Sequence, residues 1–183
     1  MRRLFLIAGL MTALGLAVVA ASAFAPANFA GTWSLDKTKS QGLSQRMQNA
    51  ESVIWTITQD GKTISIDSKV TAGQPPAGGG GGGGGRGGGP TGPQVYNLDG
   101  NESTSDVTFG QNTGKAATKA TWLNNGATLE LTRKTTFQGP NGEVTNSNDQ
   151  KFSLSGDGKV LTVAQHSESP RGAQDSTLVF NKQ

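Results

Sequence analysis

From Phe29 onward the chain alternates apolar and polar residues one by one, and turn dipeptides interrupt the alternation. In "SVIWTITQ", Val53, Trp55 and Ile57 share one face while Thr56 and Thr58 take the other. In "KTISIDSKV", after Asp60-Gly61, Ile64, Ile66 and Val70 oppose Thr63, Ser65, Asp67 and Lys69. A two-residue period is that of a strand with one wet face. Asp-Gly between two such runs predicts a hairpin, because a type I′ turn needs positive φ at both central residues. The same signal recurs at Asp99-Gly100, Asn125-Gly126, Asn141-Gly142 and Asp157-Gly158. No long segment has a helical period; a short helix fits only in "GLSQRMQNAES", between Gly42 and Ser52.

With "FAGTWSL" as the first strand, this pattern predicts an all-β chain of about eight to ten antiparallel strands joined by short turns. A meander that long exposes two edges, and closing on itself removes both. The expectation is an up-and-down β-barrel over residues 24–183, with a β-sandwich as second choice. The chain is expected to be a monomer.

The first residues change where that barrel is expected to work. Arg2 and Arg3 precede an uncharged apolar run, Leu4 to Ala20, and then Ala21-Ser22-Ala23. That order predicts a signal peptide over 1–23, cleaved after Ala23, and a periplasmic or secreted product with no membrane span. The chain has 16 basic and 13 acidic residues, and without Arg2 and Arg3 the basic count is 14. So balanced a chain has no electrostatic footprint for nucleic acid. With no cysteine, it can form neither a disulfide nor a Cys/His zinc site.

"AGGGGGGGGRGGGPTG", Ala77 to Gly92, interrupts the strand pattern. A phosphate-cradling loop needs a helix to follow, but "PTGPQVYNL" continues with prolines and a strand. An RNA-binding tract would repeat arginine, whereas only Arg86 interrupts this one. Residues 71–93 are therefore expected to be a disordered Gly/Pro-rich hairpin connection.

Candidate chemistry is sparse. His166, the only histidine, alternates with Gln165 in "VLTVAQHSES" and is expected to face solvent, opposite Leu161 and Val163. A hydrolase would have to use His166 or a pair of carboxylates, yet the acids fall in turns or on outward positions such as Asp67 and Glu130. "NLDGNES" lacks the spaced acids of a calcium loop. No cofactor or metal is expected.

The inward face is more informative. Arg133 shares a face with Leu129, Leu131, Thr135 and Phe137, and a cation there needs an aromatic or polar partner, or water in a cavity. Asn146, Asn148 and Gln150 share the face of Phe152 and Leu154, and Gln165 that of Leu161 and Val163. Two readings stay open: a wet lumen that orients a small ligand, or a bulge near Asn148 or a protruding strand end that turns these groups outward.

"FAGTWSLDKTKS" resembles the opening of lipocalin-like proteins of the calycin group, where Gly-x-Trp on the first strand leads into a short helix. Its opening, with "LSGDGKVLTV" and "STLVFNK", also resembles small secreted bacterial proteins. The resemblance implies a barrel of about eight or nine strands that binds small, often apolar molecules. It further implies a basic residue packed across Trp33, with Arg133 as the candidate. The expectation is an exported, non-catalytic barrel binding a small apolar or amphiphilic molecule in its lumen, with Trp33, Arg133, Asn148, Gln150 and Gln165 as candidate contacts. The alternative is a solid-cored structural or protein-interaction module of the cell envelope.

Overall fold

The computed structural model describes residues 25–73, 92–109, 112–139 and 142–183. The signal peptide expected over 1–23 lies outside them, as do residues 74–91 of the connection expected over 71–93. Thr71 and Ala72 do not belong to that connection: they end a strand, paired with Ser52 and Ala50. The strand before them starts two residues earlier than Ser52 and so offers them partners.

Ten strands run as an antiparallel meander: β1 (Gly31–Leu35), β2 (Ala50–Gln59), β3 (Thr63–Ala72), β4 (Gln94–Asn97), β5 (Ser103–Phe109), β6 (Asn112–Leu123), β7 (Thr128–Gly139), β8 (Gly142–Leu154), β9 (Val160–Ser169) and β10 (Gly172–Lys182). β1 pairs with both β2 and β10, which rolls the sheet into a barrel. The ladder continues from β4 round to β5, so the barrel is nearly closed, with a seam between these two strands. The up-and-down barrel expected from alternation is the fold, and its ten strands fall within the expected eight to ten, one or two more than the resemblance implied. The one-turn helix α1 (Gln45–Gln48) sits between β1 and β2, and Ser44 caps it through Met47 N–H.

Hairpins form at the expected turns except Asp99-Gly100, which joins the unpaired strands β4 and β5 across the seam, and the Asp-Gly turns use a different chemistry. Only Asn124 and Asn125 are non-glycine residues at positive φ among the described residues, so the Asp-Gly turns are not type I′. At Asp60 the carboxylate accepts from the N–H groups of Lys62 and Thr63, both at 2.7 Å. Asp99 and Asp157 accept from Asn101 and Lys159 in the same way. These contacts hold all three carboxyls below the usual range: backbone N–H groups lead at Asp60 and Asp99, and the Ser155 hydroxyl leads at Asp157.

The end carrying these turns, the base, is packed solid. Trp55 lies 4.5 Å from Phe180 and 6.0 Å from Phe152, ring centre to ring centre. Residues 25–30 cross the base and insert Phe29 between Phe152 and Trp122, at 5.8 and 6.1 Å. Gln59 pins this segment, donating to Ala27 O and accepting from Phe29 N–H. Trp33 is fully buried here and donates its Nε1–H to Phe29 O at 2.9 Å.

The cation over Trp33 is Lys182 from the last strand, with Nζ 5.2 Å from the ring centre, and not Arg133. Gly31 makes room for it. Its φ is +143°, and a Cβ there would lie 2.9 Å from Lys182 Cε. The Gly-x-Trp spacing thus places the indole and frees the path of its cation.

Candidate functional site

Strand register sorts the inward side chains into rows. Toward the base, Trp122, Leu129, Phe152, Val163 and Leu178 lie side by side across β6 to β10. Two residues further from the base, the row is Ala120, Leu131, Gln150, Gln165 and Ser176. The next row is Ser103, Thr118, Arg133, Asn148, Ser167 and Gln174, spanning β5 to β10. The pairing of β7, β8 and β9 has no register shift, so the bulge considered near Asn148 is absent. The wall is therefore apolar toward the base and polar toward the opposite end, the mouth.

The polar groups bond to one another. Gln150 Nε2 donates to Gln165 Oε1 at 3.1 Å, Gln165 Nε2 to Ser167 Oγ at 2.9 Å, and Asn148 Nδ2 to Ser167 Oγ at 3.0 Å. All four are half-buried. Arg133, also half-buried, makes a long contact from Nε to Thr135 Oγ1 at 3.5 Å and lies near the Tyr96 hydroxyl, which donates to Gln94 Oε1 at 3.3 Å. Burial pushes the Tyr96 phenol up to about 12, against the opposing pull of Arg133, so it stays neutral and gives Arg133 no counter-charge.

The structure thus brings four of the expected site residues, Arg133, Asn148, Gln150 and Gln165, onto two adjacent rows. Trp33 stands apart from them, sealed in the base with no surface to offer a ligand. Tyr96, Ser103, Thr118, Ser167 and Gln174 also belong to this region. Turn symmetry could have found one of them: the β6–β7 pairing is centred on Asn125-Gly126 and sets Thr118 opposite Arg133.

Three concavities bear on function. One of about 560 Å³ lies at the seam, lined by Gln94, Val95 and Asn97 of β4, by Ser103 to Thr108 of β5, and by Thr118 and Arg133 of the polar row. It touches inward and outward positions alike, so it passes through the wall. A second, about 60 Å³, lies among Met47, Gln165, Ser167 and Leu178 near α1. The largest of the three, about 720 Å³, is a groove on the outer wall, where Glu130, Lys151, Asp149, His166 and Asp175 sit at outward positions, and its lining also includes Gln165 and Ser176 of the inward row. Its charges are largely paired: Lys151 with Glu130 at 3.4 Å, and His166 Nδ1 with Asp175 at 2.6 Å.

His166 Nε2 also meets Glu168 at 3.3 Å. The Asp175 and Glu168 carboxylates together raise the imidazole above its ordinary value. Both ring nitrogens face carboxylates, which leaves neither to activate a serine. Among the described residues no cluster of three or more His, Cys, Asp or Glu could hold a metal ion.

Fold and site together define a nearly closed up-and-down barrel with a packed base and a polar half that opens at a seam. No family model and no curated protein matches the chain. Among solved structures, zebrafish ileal bile acid-binding protein complexed with cholic acid is similar at 14% identity and a TM-score of 0.45, over 85% of this chain and 98% of that one.

Proposed function

We propose that this protein is an exported, monomeric, non-catalytic barrel that binds a small molecule in the polar half of its lumen. The observation that carries the reading is the seam cavity of about 560 Å³, which connects the outer surface with Thr118 and Arg133 of the inward polar row. Sites for small molecules are concave and place a few convergent polar groups among apolar ones. Here Pro93, Val95 and Val107 supply the apolar surface and Thr118 and Arg133 the polar groups of the cavity, with Asn148, Gln150 and Gln165 beside Arg133 on the inward rows. Catalysis has little support: no acidic residue occupies an inward strand position, and the nitrogens of His166 are engaged on the outer wall.

A second reading, a solid-cored structural module, is favoured by the close packing of Phe29, Trp33, Trp55, Phe152 and Phe180. Native mass spectrometry of protein purified from its own host separates the two. A retained small molecule that leaves on unfolding supports the binder. Bare protein in every preparation, together with no uptake of added amphiphiles, supports the solid module.

A further inference from the structure

We propose that the seam between β4 and β5 holds the anionic group of an amphiphilic ligand, with Arg133 as the group that binds it. This rests on the lumen-binding reading above and adds the charge of the ligand and the place where it docks. Arg133 and, at the base, Lys182 are the only charged side chains at inward positions of the ten strands among the described residues. Lys182 is committed to Trp33, which leaves Arg133 as the cation of the polar half.

Arg133 has no anionic partner. Each of the 13 acidic residues of the chain lies among the described residues, and none forms an ion pair with it. The one carboxylate on the seam cavity, Asp106, stands at an outward position and is held by Lys115 at 2.9 Å. The hydroxyls of Tyr96 and Thr135 occupy at most part of a guanidinium with five donors. A half-buried guanidinium whose neighbours are neutral is stabilised by an anion, and its planar fork matches a carboxylate or sulfonate.

The seam suits an amphiphile rather than a bare ion. Val95, 53% exposed, is the large hydrophobic side chain left out in solvent among the described residues, and it lines the same cavity as Arg133. Pro93, just before β4, and Val107 of β5 line the cavity as well. A ligand seated here places its charge at the wall and its apolar body against these groups.

The test uses two fluorescent probes with nearly the same aromatic body. 8-Anilinonaphthalene-1-sulfonate carries a sulfonate, and N-phenyl-1-naphthylamine carries no charge. Both are titrated into the full mature protein and into Arg133→Gln and Arg133→Lys variants. Losing a charge-assisted hydrogen bond weakens binding by about tenfold or more.

The expected result is that Arg133→Gln weakens the sulfonate probe about tenfold, leaves the neutral probe unchanged, and is partly rescued by Arg133→Lys. The neutral probe doubles as the check that the variant is folded. Position is tested with Val95→Cys, which introduces the chain's only thiol. The sulfonate probe should slow its reaction with N-ethylmaleimide, while the same thiol at Thr162 on the far wall reacts at an unchanged rate.

If Arg133→Gln leaves the sulfonate probe unaffected, or weakens both probes equally, the anion site is wrong while lumen binding stands. If Val95→Cys is not protected, the seam is not the docking place. If neither probe binds the unaltered protein, the lumen-binding reading itself falls and this inference with it.

Discussion

Replacing Trp33 and Trp55 separately by phenylalanine isolates one hydrogen bond in the base. Both indoles are buried, face each other across β1 and β2, and lose the same volume on conversion to phenylalanine. A phenylalanine keeps a ring for the exposed Lys182 over position 33 and for Phe152 and Phe180 beside position 55, so the difference that remains lies at the indole nitrogen. Trp33 Nε1 donates to the Phe29 carbonyl at 2.9 Å, whereas Trp55 Nε1 is buried with no acceptor. Trp33→Phe therefore leaves a buried carbonyl unpaired, at a cost of about 1–3 kcal/mol, while Trp55→Phe removes a donor that was already unsatisfied. The lost volume costs both variants similarly, so the difference between them reports the bond. With an m-value of about 2 kcal/mol/M in urea, an extra 2 kcal/mol separates the two midpoints by about 1 M, Trp33→Phe unfolding first. The assay is urea unfolding followed by far-UV circular dichroism, since both substitutions alter fluorescence. Equal midpoints, or an earlier midpoint for Trp55→Phe, would refute the reasoning.

Three further outcomes follow from groups outside the lumen. The Asp60, Asp99 and Asp157 carboxyls are depressed in the fold, so their stabilisation is present above the unfolded value of about 3.9 and is lost as pH falls through their folded values. Asp60→Asn should accordingly flatten the fall in melting temperature below about pH 4, and an acid limb of unchanged slope would contradict the turn geometry. His166 is raised in the fold, so its pairing with Asp175 and Glu168 stabilises below the unfolded value of about 6.5 and fades as pH rises through the folded one. The melting-temperature gap between the natural protein and His166→Gln should be widest near pH 6 and close by about pH 9; a gap independent of pH would mean the ion pairs do not form in solution. Arg2, Arg3, the apolar run and Ala21-Ser22-Ala23 predict a mature chain beginning at Phe24. N-terminal sequencing of native protein tests this, and recovery of Met1 or Arg2 would overturn the export reading.

Alternation alone predicted the barrel because each strand buries one face. Val53, Trp55 and Ile57 face the core as their spacing requires, and so do Leu129 and Leu131. The same parity placed Arg133, Asn148, Gln150 and Gln165 inside. Their meaning stayed open because one bulge would have turned them all outward, and only unbroken pairing across three strands removes that alternative. Turn centres were less legible. Asp157-Gly158 is the centre of the β8–β9 register, but the β2–β3 register is centred on Gly61-Lys62, one residue past the Asp-Gly pair. Asp60 caps the turn from its first position, which a dipeptide rule does not anticipate. Lys182 was missed because contact with Trp33 depends on β10 returning to β1, a closure that no local pattern records. The seam was hidden for a related reason: β4 is only 4 residues long, and "QVYNL" gives no sign that the ladder stops there.

The central claim is that a small molecule binds inside the polar half of the barrel and not in the larger groove on its outer wall. The most direct measurement is a titration of isotopically labelled protein with N-phenyl-1-naphthylamine, followed by nuclear magnetic resonance of backbone amides and side-chain NH₂ groups. The account predicts that the NH₂ signals of Asn148 and Gln150 and the amides around Arg133 and Thr118 shift together and saturate, while Thr132, Asp149 and His166 on the outer wall hold still. Shifts confined to the outer groove, or none anywhere at saturating probe, would contradict it.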